Sequence, residues 1–153
     1  MPYESYYVDS GKGLLKVGTG VVTAMEIYHN ALQVAADVER SKKLKYALID
    51  FSQTTELQAT PDSIRQVIEV NRKTAQLTPG AFVAIIAPDP FAFGISRFWQ
   101  AFAEDLGWSA NVFHGRPAAI MWLRKELGLE GTIGEACDEF PSLRIDVAAD
   151  YEL

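Results

Sequence analysis

Read for hydrophobic period alone, the chain alternates short apolar runs with helical stripes. Tyr3 to Val8 is aromatic and β-branched, Ser10-Gly11-Lys12-Gly13 follows, and Leu14-Leu15-Lys16-Val17 resumes the run; this predicts a β-hairpin with a glycine turn. Thr23-Ala24-Met25-Glu26 has the spacing of a capping box, with Val22 and Ile27 placed as its hydrophobic staple. In the helix that follows, Glu26, Asn30, Gln33, Asp37 and Arg40 fall on one narrow polar arc. Met25, Tyr28, Leu32 and Ala36 form one apolar stripe; Ile27, Ala31, Val34 and Val38 form a second. A helix apolar over more than half its circumference has two sides to bury. One goes to a sheet, the other to a neighbouring helix, a ligand or a second subunit.

Tyr46-Ala47-Leu48-Ile49-Asp50-Phe51 reads as a strand with Asp50 near its C-terminal end. Thr60-Pro61-Asp62 supplies an N-cap and a proline at the first helical position, ahead of the stripe Ile64, Val67, Ile68, Asn71 and Ala75. Ala81 to Ala87 is apolar throughout, as a central strand covered on both faces should be. Pro88-Asp89-Pro90 opens a helix whose inward stripe is Phe91, Ile95, Phe98, Trp99, Phe102 and Leu106, and Gly107 stops it. Asn111 to His114 is a short last strand, followed by a helix with Ala119, Trp122, Leu123 and Leu127 inward. The order predicts an α/β fold: an N-terminal β-hairpin followed by βα units, with a five-stranded mixed sheet flanked by about four helices. Residues 1–128 make up that domain. Residues 129–153 break the rhythm as an acidic C-terminal extension, in which Leu143, Ile145 and Val147 alternate with Arg144 and Asp146. That pattern suits an edge strand or a partner-contacting arm.

Charge sharpens this division. The net charge is −6, and residues 129–153 carry all of the excess: seven acids against the single base Arg144. The body is balanced, so no overall field gathers a polyanion, and nucleic acid is not an expected partner. The local basic cluster Arg40, Lys42, Lys43 and Lys45 reads as a helix C-terminus, where cations complement the macrodipole. No apolar run approaches the ~20 residues of a membrane span. Met1 to Ser5 lacks the basic and apolar regions of a secretory signal, and Cys137 is the sole cysteine, so no internal disulfide forms. A cytoplasmic protein is the expectation.

Candidate chemistry is sparse. Two histidines and one cysteine supply no metal-ligand spacing, and no cofactor motif is present: Lys12 lacks the following Ser/Thr of a phosphate loop, and Ser96 lacks the second glycine of a nucleophile elbow. An enzyme would need Asp50, Arg97 and His114 in one pocket. Asp50, at the carboxyl edge of the sheet, is a candidate ligand or partner contact, or else it bonds backbone within its own turn. Phe93, Arg97 and Gln100 share the outward face of their helix. They form a candidate recognition patch, or a simple stack of Phe93 on Arg97. Phe93 lies opposite the apolar stripe and is expected to be exposed unless something covers it.

The ordered segments Gly20-Val21-Val22-Thr23, Leu48-Ile49-Asp50-Phe51-Ser52, Ala84-Ile85-Ile86-Ala87-Pro88, Phe93-Gly94-Ile95-Ser96-Arg97-Phe98 and Val112-Phe113 running to Trp122-Leu123 resemble the bacterial STAS-like (SpoIIAA-like) proteins. These are kin of anti-sigma-factor antagonists and are grouped structurally with CRAL-TRIO lipid-transfer domains. The resemblance covers roughly residues 3–128, and it rests on order and spacing more than on any one motif. It implies a sheet flanked by helices, no metal, and a non-catalytic regulatory role through protein contact. A homodimer would bury the second face of the first helix. It also implies a phospho-acceptor at Thr60, although Gln58-Ala59-Thr60-Pro61 stands where the family carries Asp-Ser-Ser-Gly. The lipid-transfer kinship implies an alternative: a small apolar or amphiphilic ligand bound between helices.

Overall fold

The computed structural model describes residues 2–128, and its elements begin where the sequence supplies caps and turns. Strands β1 (Tyr3–Val8) and β2 (Gly13–Thr23) are joined by a 3-10 turn, Asp9–Gly11, in which Gly11 takes a φ of 90°. Gly13 lies under the Tyr46 ring so closely that a Cβ there would come within 2.4 Å of it. Helix α1 (Ala24–Ala36) starts at the expected capping box: Glu26 N donates to Thr23 Oγ1 at 3.2 Å, and Thr23 N donates to Glu26 Oε1 at 3.1 Å.

Asp37 then ends α1 and caps a single further turn, α2 (Val38–Ser41), which carries part of the basic cluster. Arg40 lies 5.1 Å above the Tyr7 ring, while Lys42, Lys43 and Lys45 remain exposed. Strand β3 (Tyr46–Gln58), α3 (Pro61–Leu77), β4 (Phe82–Ile86), α4 (Pro90–Ala103), β5 (Ser109–Phe113) and α5 (Arg116–Glu126) complete the described chain.

The five strands lie in the order β1-β2-β3-β4-β5, with β1 antiparallel to β2 and the other neighbours parallel. Parallel strands laid down in sequence order, with crossovers of one hand, must put every crossover helix on the same face. Packing agrees. Ile85, Val83 and Phe51 form a core with residues of α3 and α4, with Ile27 of α1 packed against it. The opposite face carries Leu15, Leu48, Ala84 and Ile86 and is covered by Ala119, Ile120 and Leu123 of α5. Helix α5 follows the last strand, so no crossover binds it to the first layer.

Two expectations are corrected by the structure. Strand β3 continues past Phe51 to Gln58, because Gln53 to Gln58 pairs with Thr19 to Thr23 of β2 beyond the end of β4. Asp50 is therefore mid-strand. Helix α4 is rotated from the stripe drawn by size: Ala92, Ser96, Trp99 and Ala103 are buried, and Phe91 is 53% exposed. Small residues let a helix sit close to a sheet. Helix α1 meets α3 through Ala31, Val67 and Val70, so its Ile27–Ala31–Val34 side is satisfied within the chain. Its other stripe is on the surface. The acidic segment 129–153, with its expected edge strand, lies outside the described residues.

Candidate functional site

Asp50 stands in the row Val17–Asp50–Ile86, on the face covered by α5. Its side chain is 1% exposed, a position that water cannot stabilise, and one hydrogen bond and one ion pair stand in for the water. Oδ1 accepts from Ser52 N at 2.8 Å, and Oδ2 lies 3.6 Å from Nη1 of Arg116, the first residue of α5.

The residues expected as a patch on α4 part company. Phe93 is half-buried, stacked on the His114 ring with centroids 4.1 Å apart and planes 4° from parallel. Arg97 is exposed. Gln100 Nε2 donates to Ala110 O at 2.9 Å, which ties α4 to β5. His114 thus stacks on Phe93 of α4, while Asp50 pairs with Arg116 of α5. Thr60 caps α3: Ser63 N donates to Thr60 Oγ1 at 3.1 Å, and Thr60 N donates to Ser63 Oγ at 2.8 Å. Its hydroxyl oxygen is engaged.

A different feature emerges on the three-helix face. Lys16 lies in the cross-sheet row Ser5–Lys16–Ile49–Ile85–Val112, an aliphatic row apart from its first two members. It is 9% exposed, and no hydrogen bond or ion pair reaches its ammonium among the described residues. Burial disfavours the charged form and lowers its pKa from 10.5 to about 8. Above it, between the sheet and helices α1, α3 and α4, is a cavity of about 110 Å³ lined by Leu14, Ile27, Val34, Val67, Ile95 and others. Two polar pairs on its wall are bonded to each other: Trp99 Nε1 donates to Asn71 Oδ1 at 3.0 Å, and Trp108 Nε1 to Thr78 Oγ1 at 3.0 Å. Sequence reading missed Lys16. The available signal was parity: residues two apart share a face, so a lysine between Leu14 and Gly18 in a two-sided buried strand must point inward.

No protein-family model and no curated protein matches the chain. Among solved structures, the anti-sigma factor antagonist SpoIIAA in its unphosphorylated form aligns over 80% of this chain and 97% of its own, at 10% identity and a TM-score of 0.51. The fold is that of SpoIIAA. An uncharacterized protein from Shewanella loihica PV-4, described as having a SpoIIAA-like fold, aligns over 79% of this chain and 91% of its own, at 15% identity and a TM-score of 0.49. The phosphorylated form of Bacillus SpoIIAA aligns over 80% and 99%, at 9% identity and a TM-score of 0.49. The assignment rests on the first of these, and at such identity it concerns the fold alone. Within the SpoIIAA fold, this chain places Asp50 and Arg116 under α5 and the Lys16 cavity under the three-helix layer.

Proposed function

We propose that the chain is a non-catalytic regulatory module of the cytoplasm that works through protein contact, as a homodimer joined along α1. The observation carrying this reading is the second stripe of that helix. Met25 is 62% and Leu32 37% exposed, with Ala36 exposed and Tyr28 half-buried beside them, although the rest of α1's apolar surface is packed. Apolar side chains lined up on one helix face suit a partner surface. The bonding of Asp50, Gln100 and Thr60 into the frame supports a role without turnover. Of the four residues proposed for partner contact, Arg97 is the exposed one and would meet the partner directly. Light scattering on the eluting protein at micromolar concentration tests the dimer. A dimer mass that falls to the monomer in Leu32→Arg is expected, and a monomeric wild-type protein overturns it.

A second reading has its own observation. The cavity beneath α1, α3 and α4 supports a binder of a small apolar or amphiphilic ligand. Native mass spectrometry of the purified chain tests it, a co-purifying mass being the expected result.

A further inference from the structure

A lysine with no counter-charge at the floor of an apolar cavity calls for an explanation. Structural lysines at such depth are normally paired with an acid, because an isolated ammonium away from water is costly. Here the residues lining the cavity include no Asp or Glu; the titratable ones are Lys16, Tyr3 and Tyr46. Asn71 and Thr78 hold the two tryptophan indoles. The cavity therefore presents one cation, the side chains of Thr74 and Ser96, and otherwise apolar walls and space.

Resting on the ligand-binding reading above, we propose that this cavity takes a small monocarboxylate, its carboxylate paired with Lys16 Nζ and its apolar body among Leu14, Ile27, Val34, Val67 and Ile95. Size sets the body. An apolar cavity of ~150 Å³ in another protein accepts benzene, so the 110 Å³ here takes at most a single ring or a chain of about six carbons. A long acyl chain does not fit within it. Charge sets the head. One carboxylate neutralises one ammonium through a short charge-assisted bond, whereas a phosphate dianion would bring a second charge that no lining residue answers. A neutral amphiphile would leave Lys16 as it is.

Titration of the full chain at pH 7 with hexanoate, benzoate, hexanamide and benzamide, followed by calorimetry and amide chemical shifts, tests this. At least one acid is expected to bind saturably, at least tenfold tighter than its own amide, and the better acid tells chain from ring. Lys16→Met should fold, lose tenfold or more in affinity for the acid, and keep its affinity for the amide. The acid-to-amide ratio on the wild-type protein stands independently of any variant. Equal binding of acid and amide overturns the carboxylate assignment while sparing the ligand-binding reading. No binding of any of the four at millimolar concentration overturns both.

Discussion

Asp50 and Lys16 lie buried on opposite faces of one sheet, two residues of like depth in unlike company. Under α5, the Asp50 carboxylate has the Ser52 amide on one oxygen and Arg116 beside the other. Under α1, α3 and α4, Lys16 has aliphatic neighbours and a cavity. A buried charge held by a hydrogen bond and a counter-charge belongs to the framework. One held without a counter-charge works against folding, and its presence makes sense when a molecule from outside supplies what the chain withholds.

The largest effect expected from breaking this contrast comes on the paired side. Asp50→Ala removes the carboxylate facing Arg116 and the acceptor for Ser52 N, and should cost about 3 kcal/mol in urea unfolding. A loss below half a kcal/mol would erase the distinction. On the other face the signature is a pH profile. The Lys16 amine titrates near 10.5 when unfolded and at about 8 when folded, so between those values the unfolded chain holds a proton that the folded one lacks. Stability must then rise with pH, by about 2 kcal/mol from pH 8 to 10. Lys16→Met should flatten that rise. Above pH 10 the sign reverses, because burial raises the Tyr3 hydroxyl and its ionisation favours the unfolded chain.

The helix starts give a smaller version of the contrast. Thr23, Thr60 and Asp89 all cap helices of the crowded layer with their side chains, whereas Gly115 opens α5 with none. Thr60→Ala should lose about 1 kcal/mol, and Gly115→Ser should gain a few tenths. Thermal melts of the two variants would order them.

Much of the frame was legible because it is written in local chemistry. The Thr23 box, the Thr60-Pro61 and Asp89-Pro90 starts and the continuous apolar run at Val83 to Ala87 each act over a few residues. What escaped depends on partners far along the chain. Phe93 was expected in the open, yet His114 arrives from beyond β5 to cover it. The phase of α4 was drawn from large residues, although Ala92, Ser96 and Ala103 are the ones against the core. Lys16 hid inside Leu14-Leu15-Lys16-Val17, a run apolar on both sides, where parity with Leu14 is the one mark of the face its lysine joins.

The overhang of β3 has a further consequence. From Gln53 to Gln58, β2 is the one strand beside it among the described residues, so its backbone there is tied on a single flank. Deuterium should replace those amide hydrogens sooner than the ones in Tyr46 to Asp50, which are laced on both sides. Ser52-Gln53-Thr54-Thr55-Glu56, the polar stretch that disguised a strand as a loop, also guards that lone flank against zipping onto foreign chains.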